Sequence, residues 1–425
     1  MRRRFFLPLA AGALGAARRR VAAADKITIV IMGVRGRGRG LTKAFCDMPD
    51  VNIAYVCDVD QNVVGAAYQI IADAGRPRPP LVSDIRRCLD DRTVDAVVMG
   101  TPLHWHAPGT ILACGAGKDV YVEKPISHNI REGRLMVEAA RRNQRVVQVG
   151  TQLRSLPVTQ RFFEYVRSGK LGRVLMAKAW NVQLRRNIGH REDEPVPPGI
   201  DYDTWTGPLP PMPFNRNRFH GTVNWHWHYG AGDIGNDGVH QLDLARTALG
   251  LPLPAEVSGM GRKMYFDDDQ QTPDTMNITY HYPDKLIFYE HRLWNPYGLE
   301  GCDNGVAIYG DAGCAQIGKL LEGKFGFRVM DDKRRIILTD AHDGSSIDAP
   351  HVRDFLDCIR SRKRPRVDIE EGHLATSLAH LGNIVARAGR GFRFDPERET
   401  VLGDEAANQY VKRVYREHWS TPKNV

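Results

Sequence analysis

The stretch that most limits what this chain can fold into lies near its start. The apolar run Ile27 to Met32 reads as a buried strand, the turn Gly33-Val34-Arg35-Gly36-Arg37-Gly38-Arg39-Gly40 follows, and a helical pattern runs from Leu41 to about Met48. A strand, a glycine-rich turn and a helix in that order place backbone N–H groups and the positive end of a helix dipole where a pyrophosphate can sit. The spacing departs from G-x-G-x-x-G: Arg35 holds the second glycine's place and Gly36 comes one position later. Arg35 or Arg37 then adds charge to the N–H donors around Gly33, Gly36 and Gly38. A second strand, Val51 to Cys57, ends at Asp58, 20 residues after Gly38. A carboxylate there accepts from an adenosine ribose hydroxyl and repels a 2′-phosphate, which favours NAD over NADP. Asp60, next to it, reads as a solvated acid at a helix start.

The same alternation continues. Val94 to Gly100 is a strand with Thr101-Pro102-Leu103-His104-Trp105-His106 at its C-terminal end, and a helix follows to Gly115. The next strand closes in Tyr121-Val122-Glu123-Lys124-Pro125, ahead of a helix from Ile130 to Arg142 and a strand from Val146 to Val149. Repeated β-α-β units over residues 26–150 imply a parallel sheet. Open sheets of this kind bind ligands beyond their strand ends. The proline after Lys124 restricts that residue to extended geometry. A lysine held so beside a dry pocket can orient a substrate or exchange a proton with it.

The glycine-rich turn, Asp58, Thr101-Pro102 with His106, and Glu123-Lys124-Pro125, in this order, resemble the glucose-fructose oxidoreductase / inositol dehydrogenase / rhizopine-catabolism (Gfo/Idh/MocA) family. The resemblance implies a Rossmann doubly wound parallel sheet that binds NAD. It also implies a C-terminal α+β region with a largely antiparallel open sheet, whose free face pairs copies into homodimers or homotetramers. It puts Lys124 beside the nicotinamide and the substrate hydroxyl, and Thr101, Pro102, His106 and Glu123 at the cofactor edge.

Residues 151–350 are expected to form the substrate and oligomerisation region. A Pro- and aromatic-rich insert runs from Arg185 to Trp227, and an ordered loop of that length is usually functional. Trp205, Trp225, Trp227 and Tyr229 either stack on a sugar ring or pack beneath the loop. After it, Asn236 and His240 stand four apart on one helix face. His240 is a candidate general acid/base. The family places an aspartate where Asn236 stands, with Asp237 beside it here. An amide can bind a hydroxyl but cannot take its proton, so Lys124 and His240 become the proton handlers and Asn236 an orienting group. Trp205, Arg218, His226 and Asp237 are the candidate substrate contacts. His226 and His228 lack further ligands at a diagnostic spacing, so no metal is expected. Residues 351–425 read as helices packing back on the first region, with a surface helix over Glu405 to Tyr415.

Charge adds one constraint. Six of the nine surplus positive charges are Arg2, Arg3, Arg4, Arg18, Arg19 and Arg20. The remaining surplus of three does not suggest nucleic acid, which needs a concentrated basic face. Residues 1–24 combine the arginines, a short apolar stretch and Ala22-Ala23-Ala24 in the manner of a Tat signal, too short to span a bilayer. Periplasmic or other export is therefore expected, the alternative being a disordered basic extension on a cytoplasmic protein. The seven cysteines form no C-x-x-C pair and read as core residues, with Cys302 and Cys314 the one disulfide candidate.

These readings converge on an exported NAD-dependent oxidoreductase acting on the CH–OH of a sugar or cyclitol, with a tightly held cofactor and no membrane span. The alternatives are a redox-neutral NAD-dependent glycosidase and a non-catalytic sugar-binding protein.

Overall fold

The structure, a computed structural model, describes residues 26–423. The expected signal segment, residues 1–24, lies outside them. Six strands, β1 (Ile27–Met32), β2 (Val51–Cys57), β3 (Leu81–Val82), β4 (Ala96–Met99), β5 (Asp119–Glu123) and β6 (Val147–Gly150), form one sheet. All its pairings are parallel, in the order β3-β2-β1-β4-β5-β6. The strand order reverses between β1 and β4, which opens a crevice at their C-terminal ends.

Alternation within the strands explains the layers. Ile29, Ile31, Val98 and Tyr121 point to one face, covered by α1 (Arg37–Cys46), α2 (Val64–Asp73) and the later helix Ala349–Ser361. Val30, Met32, Val97, Val120 and Val122 point to the other, covered by α3 (Arg86–Leu89), α4 (His106–Gly115) and α5 (Ile130–Arg142). A parallel sheet buried on both faces needs such near-continuous apolar strands.

The second sheet has ten strands. Seven follow α6 (Pro157–Arg167): β7 (Val174–Val182), β8 (Glu256–Arg262), β9 (Thr275–His281), β10 (Leu286–Arg292), β11 (Asn304–Gly310), β12 (Gly313–Leu321) and β13 (Lys324–Asp331). Then come β14 (Ile336–Ala341), β15 (Phe392–Asp395) and β16 (Thr400–Val401). The order is β14-β13-β12-β11-β7-β10-β9-β8-β15-β16. Every pairing is antiparallel except β7 with β10, whose connection carries residues 183–285. That connection holds α7 (Tyr202–Thr206) and α8 (Val239–Leu249) and then returns to the sheet as β8 and β9. One sheet face buries Ile278, Tyr280, Ile287, Tyr289 and Val306 against α6, α8 and α10 (Ile369–Ala388). On the other face Met260 is exposed, and the edge strand β14 is exposed along most of its length. Burial therefore alternates along β9 and β10, as expected for a sheet with one solvated side.

Between α8 and the tail, α9 (Ala349–Ser361) ties back to the first sheet. Its Phe355 packs edge-on against Phe45 and Tyr121, and Arg353 and Arg360 both bind Asp50. The C-terminal stretch is not wholly helical, because β15 and β16 extend the second sheet. The surface helix expected to Tyr415 is only α11 (Glu405–Asn408); beyond it the chain runs irregularly across the molecule. Cys302 and Cys314 are not bonded to each other; both are free thiols. No helix among the described residues is long and apolar enough to cross a membrane.

Candidate active site

A cavity of about 450 Å³ opens at the crevice between β1 and β4 and extends to the start of α8. Its first wall is the glycine-rich turn. Helix α1 begins at Arg37, four residues before the position the apolar pattern suggests, so Gly38 and Gly40 lie inside its first two turns. Gly38 is obligatory by contact: a Cβ there would lie 1.9 Å from the Gly33 carbonyl oxygen. No side chain caps this helix and no acid occupies its first turn, which leaves the positive dipole end for an anion. Asp58 lines the same region. Its Oδ2 accepts from Val34 N at 2.9 Å and its Oδ1 from Asp60 N at 3.0 Å. Burial nevertheless holds the carboxyl above its ordinary pKa.

Thr101, Pro102, Leu103, Trp105 and His106 continue the wall. The two ring nitrogens of His106 face the carbonyl oxygens of Pro125 and Thr101 at 2.7 and 2.9 Å. The ring thereby fastens the end of β4 to the turn after β5. Thr101 Oγ1 is buried with no partner. A glycine cradle, an uncapped helix start, a carboxylate after β2 and an orphaned hydroxyl fit a dinucleotide. Arg35 is exposed and reaches toward Gly221. Arg37 is differently engaged: its Nε donates to Glu123 Oε1 at 2.8 Å and its other nitrogens bind Asp348.

The far end holds the proton-active groups. Glu123 is buried, and its Oε1 also accepts from Gln152 Nε2 at 3.0 Å. A Cβ on Gly150 would come within 2.6 Å of that carboxylate, so the glycine on the neighbouring strand makes room for Glu123. Lys124 Nζ donates to the main-chain oxygen of Asn236 and lies 3.4 Å from its Oδ1. Asn224 Nδ2 donates to the same Oδ1 at 3.3 Å. Asn236 sits in a π-turn, Ile234–Gly238, that leads directly into α8, where His240 stands. His240 Nδ1 is buried without a partner. Burial, then the charge of Lys124, push its pKa down to about 3. The site thus combines a fixed amine donor with a neutral imidazole.

Asp237 is not a cavity wall. It turns to Arg185, and Gln183 Nε2 donates to it at 2.6 Å. Burial works to raise its pKa, but the charges of Lys124 and Arg185 outweigh it and the carboxyl stays below its usual range. Arg185 also binds Asp233, whose carboxyl burial and the Asp237 charge push up to about 6.

Three other expected contacts fall differently. Arg218 binds Asp193 and the Pro213 carbonyl, and His226 is buried under the insert; neither lines the cavity. Trp225 and Tyr229 are likewise packing residues. Trp205 does reach the wall but is held in an aromatic cluster, stacked on Tyr202 at 5.4 Å. Asp60 is not solvated. It is 3% exposed, caps the turn Gln61–Val63, and binds His220 Nε2 at 2.7 Å. His220 and Asn224 are wall residues that no spacing in the insert singled out. An acid-to-histidine pair 160 residues apart has no local sequence signature.

Comparison with known proteins agrees with this geometry. The description "Oxidoreductase family, NAD-binding Rossmann fold" matches residues 27–151. "Oxidoreductase family, C-terminal alpha/beta domain" matches residues 175–289 and 334–421. The chain belongs to the Gfo/Idh/MocA family. NAD is the cofactor of its Rossmann region. Among Gfo/Idh/MocA relatives, a glycosyl hydrolase family 109 protein of Shewanella pealeana is 31% identical over 125 residues, 28% of this chain and 27% of that one. An alpha-N-acetylgalactosaminidase of Shewanella oneidensis is 27% identical over 175 residues, 39% of this chain and 38% of that one. The chain therefore spans well under half the length of these curated relatives. Solved structures share the fold more widely. Levoglucosan dehydrogenase in complex with NADH has a TM-score of 0.67 at 17% identity, covering 86% of this chain and 98% of that one. An aldose-aldose oxidoreductase from Caulobacter crescentus, complexed with glycerol, has a TM-score of 0.65 at 18% identity, covering 87% and 100%.

Proposed function

We propose that this Gfo/Idh/MocA protein is an exported, carbohydrate-directed oxidoreductase that keeps its NAD tightly bound and assembles into a homodimer or homotetramer through the second sheet. The observation that carries the reading is the meeting of Lys124, Asn236 and His240 on one wall of the cavity lined by the cofactor turn. Bound NAD supplies the hydride acceptor or donor for the substrate carbon. In the oxidation direction His240, neutral at physiological pH, takes the substrate hydroxyl proton. Its buried Nδ1 leaves Nε2 for that transfer. Lys124 Nζ, braced by the Asn236 carbonyl, donates to the same oxygen. Glu123, held by Arg37 and Gln152, accepts from the Lys124 main-chain N–H at 3.3 Å and so positions that residue from behind. Asp237 acts at a distance, as a charge between Lys124 and Arg185.

The test is turnover of the purified protein on sugars, cyclitols and nitrophenyl glycosides, followed at 340 nm with nucleotide content by mass spectrometry. Substrate-dependent NADH formation is expected, and its absence across the panel rejects the dehydrogenase reading. A second reading, a redox-neutral NAD-dependent glycosidase, is supported by the similarity to glycosyl hydrolase family 109 in the cofactor region. Nitrophenol release without net NADH would favour it.

A further inference from the structure

We propose that Trp419 is a cofactor-binding residue, laid by the C-terminal strap against the adenine of bound NAD, so that the strap must lift for the nucleotide to leave. The inference deepens the tightly held cofactor proposed above but depends only on NAD binding, not on which sugar is turned over. Asp58 marks the adenosine end of the cavity, because the acid after β2 is the group that meets the adenosine ribose. At that end the walls also include Ile85, Trp105 and Trp419. Trp419 comes from a stretch more than 300 residues away in sequence, yet its ring centroid lies 5.6 Å from that of Trp105, tilted by 48°. The Arg86 guanidinium, held by Asp84, sits 4.2 Å over the indole. Two indoles and a guanidinium around a slot suit a flat, electron-rich base, which stacks on aromatic faces and on arginine alike.

The strap is fastened rather than loose. Arg416 Nε donates to the Gly207 carbonyl at 2.8 Å, and its Nη1 reaches Asp203 Oδ1 at 2.6 Å. Thr421 Oγ1 closes back on the Arg416 carbonyl at 2.8 Å, and Ser420 is buried. These bonds attach the strap to the turn that carries Trp205, so the outer wall of the adenine end is pinned to the substrate insert. Trp419 itself is only half-buried, consistent with a face available to a ligand.

Titration calorimetry on nucleotide-stripped protein separates the halves of the cofactor. Trp419→Ala should weaken ADP-ribose and NADH about tenfold, equivalent to about 1.4 kcal/mol, and leave reduced nicotinamide mononucleotide unchanged. Trp419→Phe should retain most of the affinity. Arg416→Ala keeps the indole but frees the strap, and should speed NADH release in a competition chase. ADP-ribose binding to folded Trp419→Ala at wild-type affinity would overturn the proposal. If that variant melts far below wild type, an unchanged NADH release rate in Arg416→Ala overturns it instead. No substrate enters any of these readouts, so they stand or fall separately from the carbohydrate reading.

Discussion

In the six-stranded half, the groups facing the cavity come from strand ends whose neighbours in the sheet fix them: Gly33 after β1, Asp58 after β2, Thr101 after β4, Glu123 and Lys124 at β5. In the ten-stranded half, the facing groups come from loops and turns of one crossover, and side-chain contacts rather than strand pairing hold them. His220 rests on Asp60, Asn236 on Asn224 and Lys124, and Trp205 on Tyr202. The contrast teaches that the cofactor wall rests mainly on the backbone of strand ends, whereas the substrate handling proposed above depends on a few braced side chains, Lys124 among them. Substitutions should therefore separate the two functions cleanly, and the following outcomes would sharpen or break that separation.

The largest effect is expected at Lys124. Lys124→Met should lower kcat about 1,000-fold, within the range for a positioned proton-transfer group, while NAD affinity measured by calorimetry moves less than about threefold. His240→Gln should follow with a loss of about 100-fold. A parallel collapse of NAD binding in either variant would dissolve the division between the halves. On the backbone side, Gly38→Ala should abolish NAD binding and cost about 2 kcal/mol in thermal or denaturant unfolding from overpacking, because the Gly33 carbonyl cannot move away from the new Cβ without distorting the turn.

Acid should weaken both halves. Burial pushes His104 and His240 down to about pH 3, and His106, His291, His351 and His380 to about pH 4. Their unfolded values lie near 6.5. The unfolded chain thus binds more protons between pH 4 and 6.5, and stability is full above that window and lost as pH falls through it. One such histidine contributes about 2 kcal/mol between pH 7 and pH 5. Calorimetric melting at the two pH values, with proton uptake measured on unfolding, checks this; an unchanged midpoint would contradict the burial of these rings. The smallest effect on turnover is expected at Arg218, whose partners lie away from the cavity: Arg218→Ala should leave kcat/KM within about twofold, because it removes no contact made to the reacting groups.

The same contrast decides what could be read from the amino acids alone. The cofactor half is written in short runs: Gly33, Arg35 to Arg37 and Asp58, Thr101, Pro102 and His106, and Glu123 to Pro125 reach the cavity from their expected strand ends, while Gly38 lies behind the wall, against Gly33. Even there the apolar pattern places the start of α1 four residues late, because the first turn of the helix carries Gly38, which its close approach to Gly33 requires, in place of an apolar residue. The substrate half was legible at Asn236 and His240, which share a helical spacing, and at Trp205, one of the insert's aromatic residues. Arg218 and His226 were plausible by type but are held elsewhere, and the pairing of Asp60 with His220 depends on a fold that brings distant segments together. Trp419 was hidden for the same reason: a tail with helical composition is bound by carbonyls and aromatic rings belonging to other elements.

The lone parallel pairing of β7 with β10 has a consequence for descent. A hairpin must keep its loop short to keep its register, but a parallel crossover tolerates almost any length. All the cavity walls that do not come from the first sheet and its loops or from Trp419 lie in the first part of that crossover, residues 183–255, before the chain enters β8 and β9. One contiguous cassette can therefore be lengthened, trimmed or exchanged between relatives, changing what the enzyme accepts without disturbing a strand of the part that holds the nucleotide.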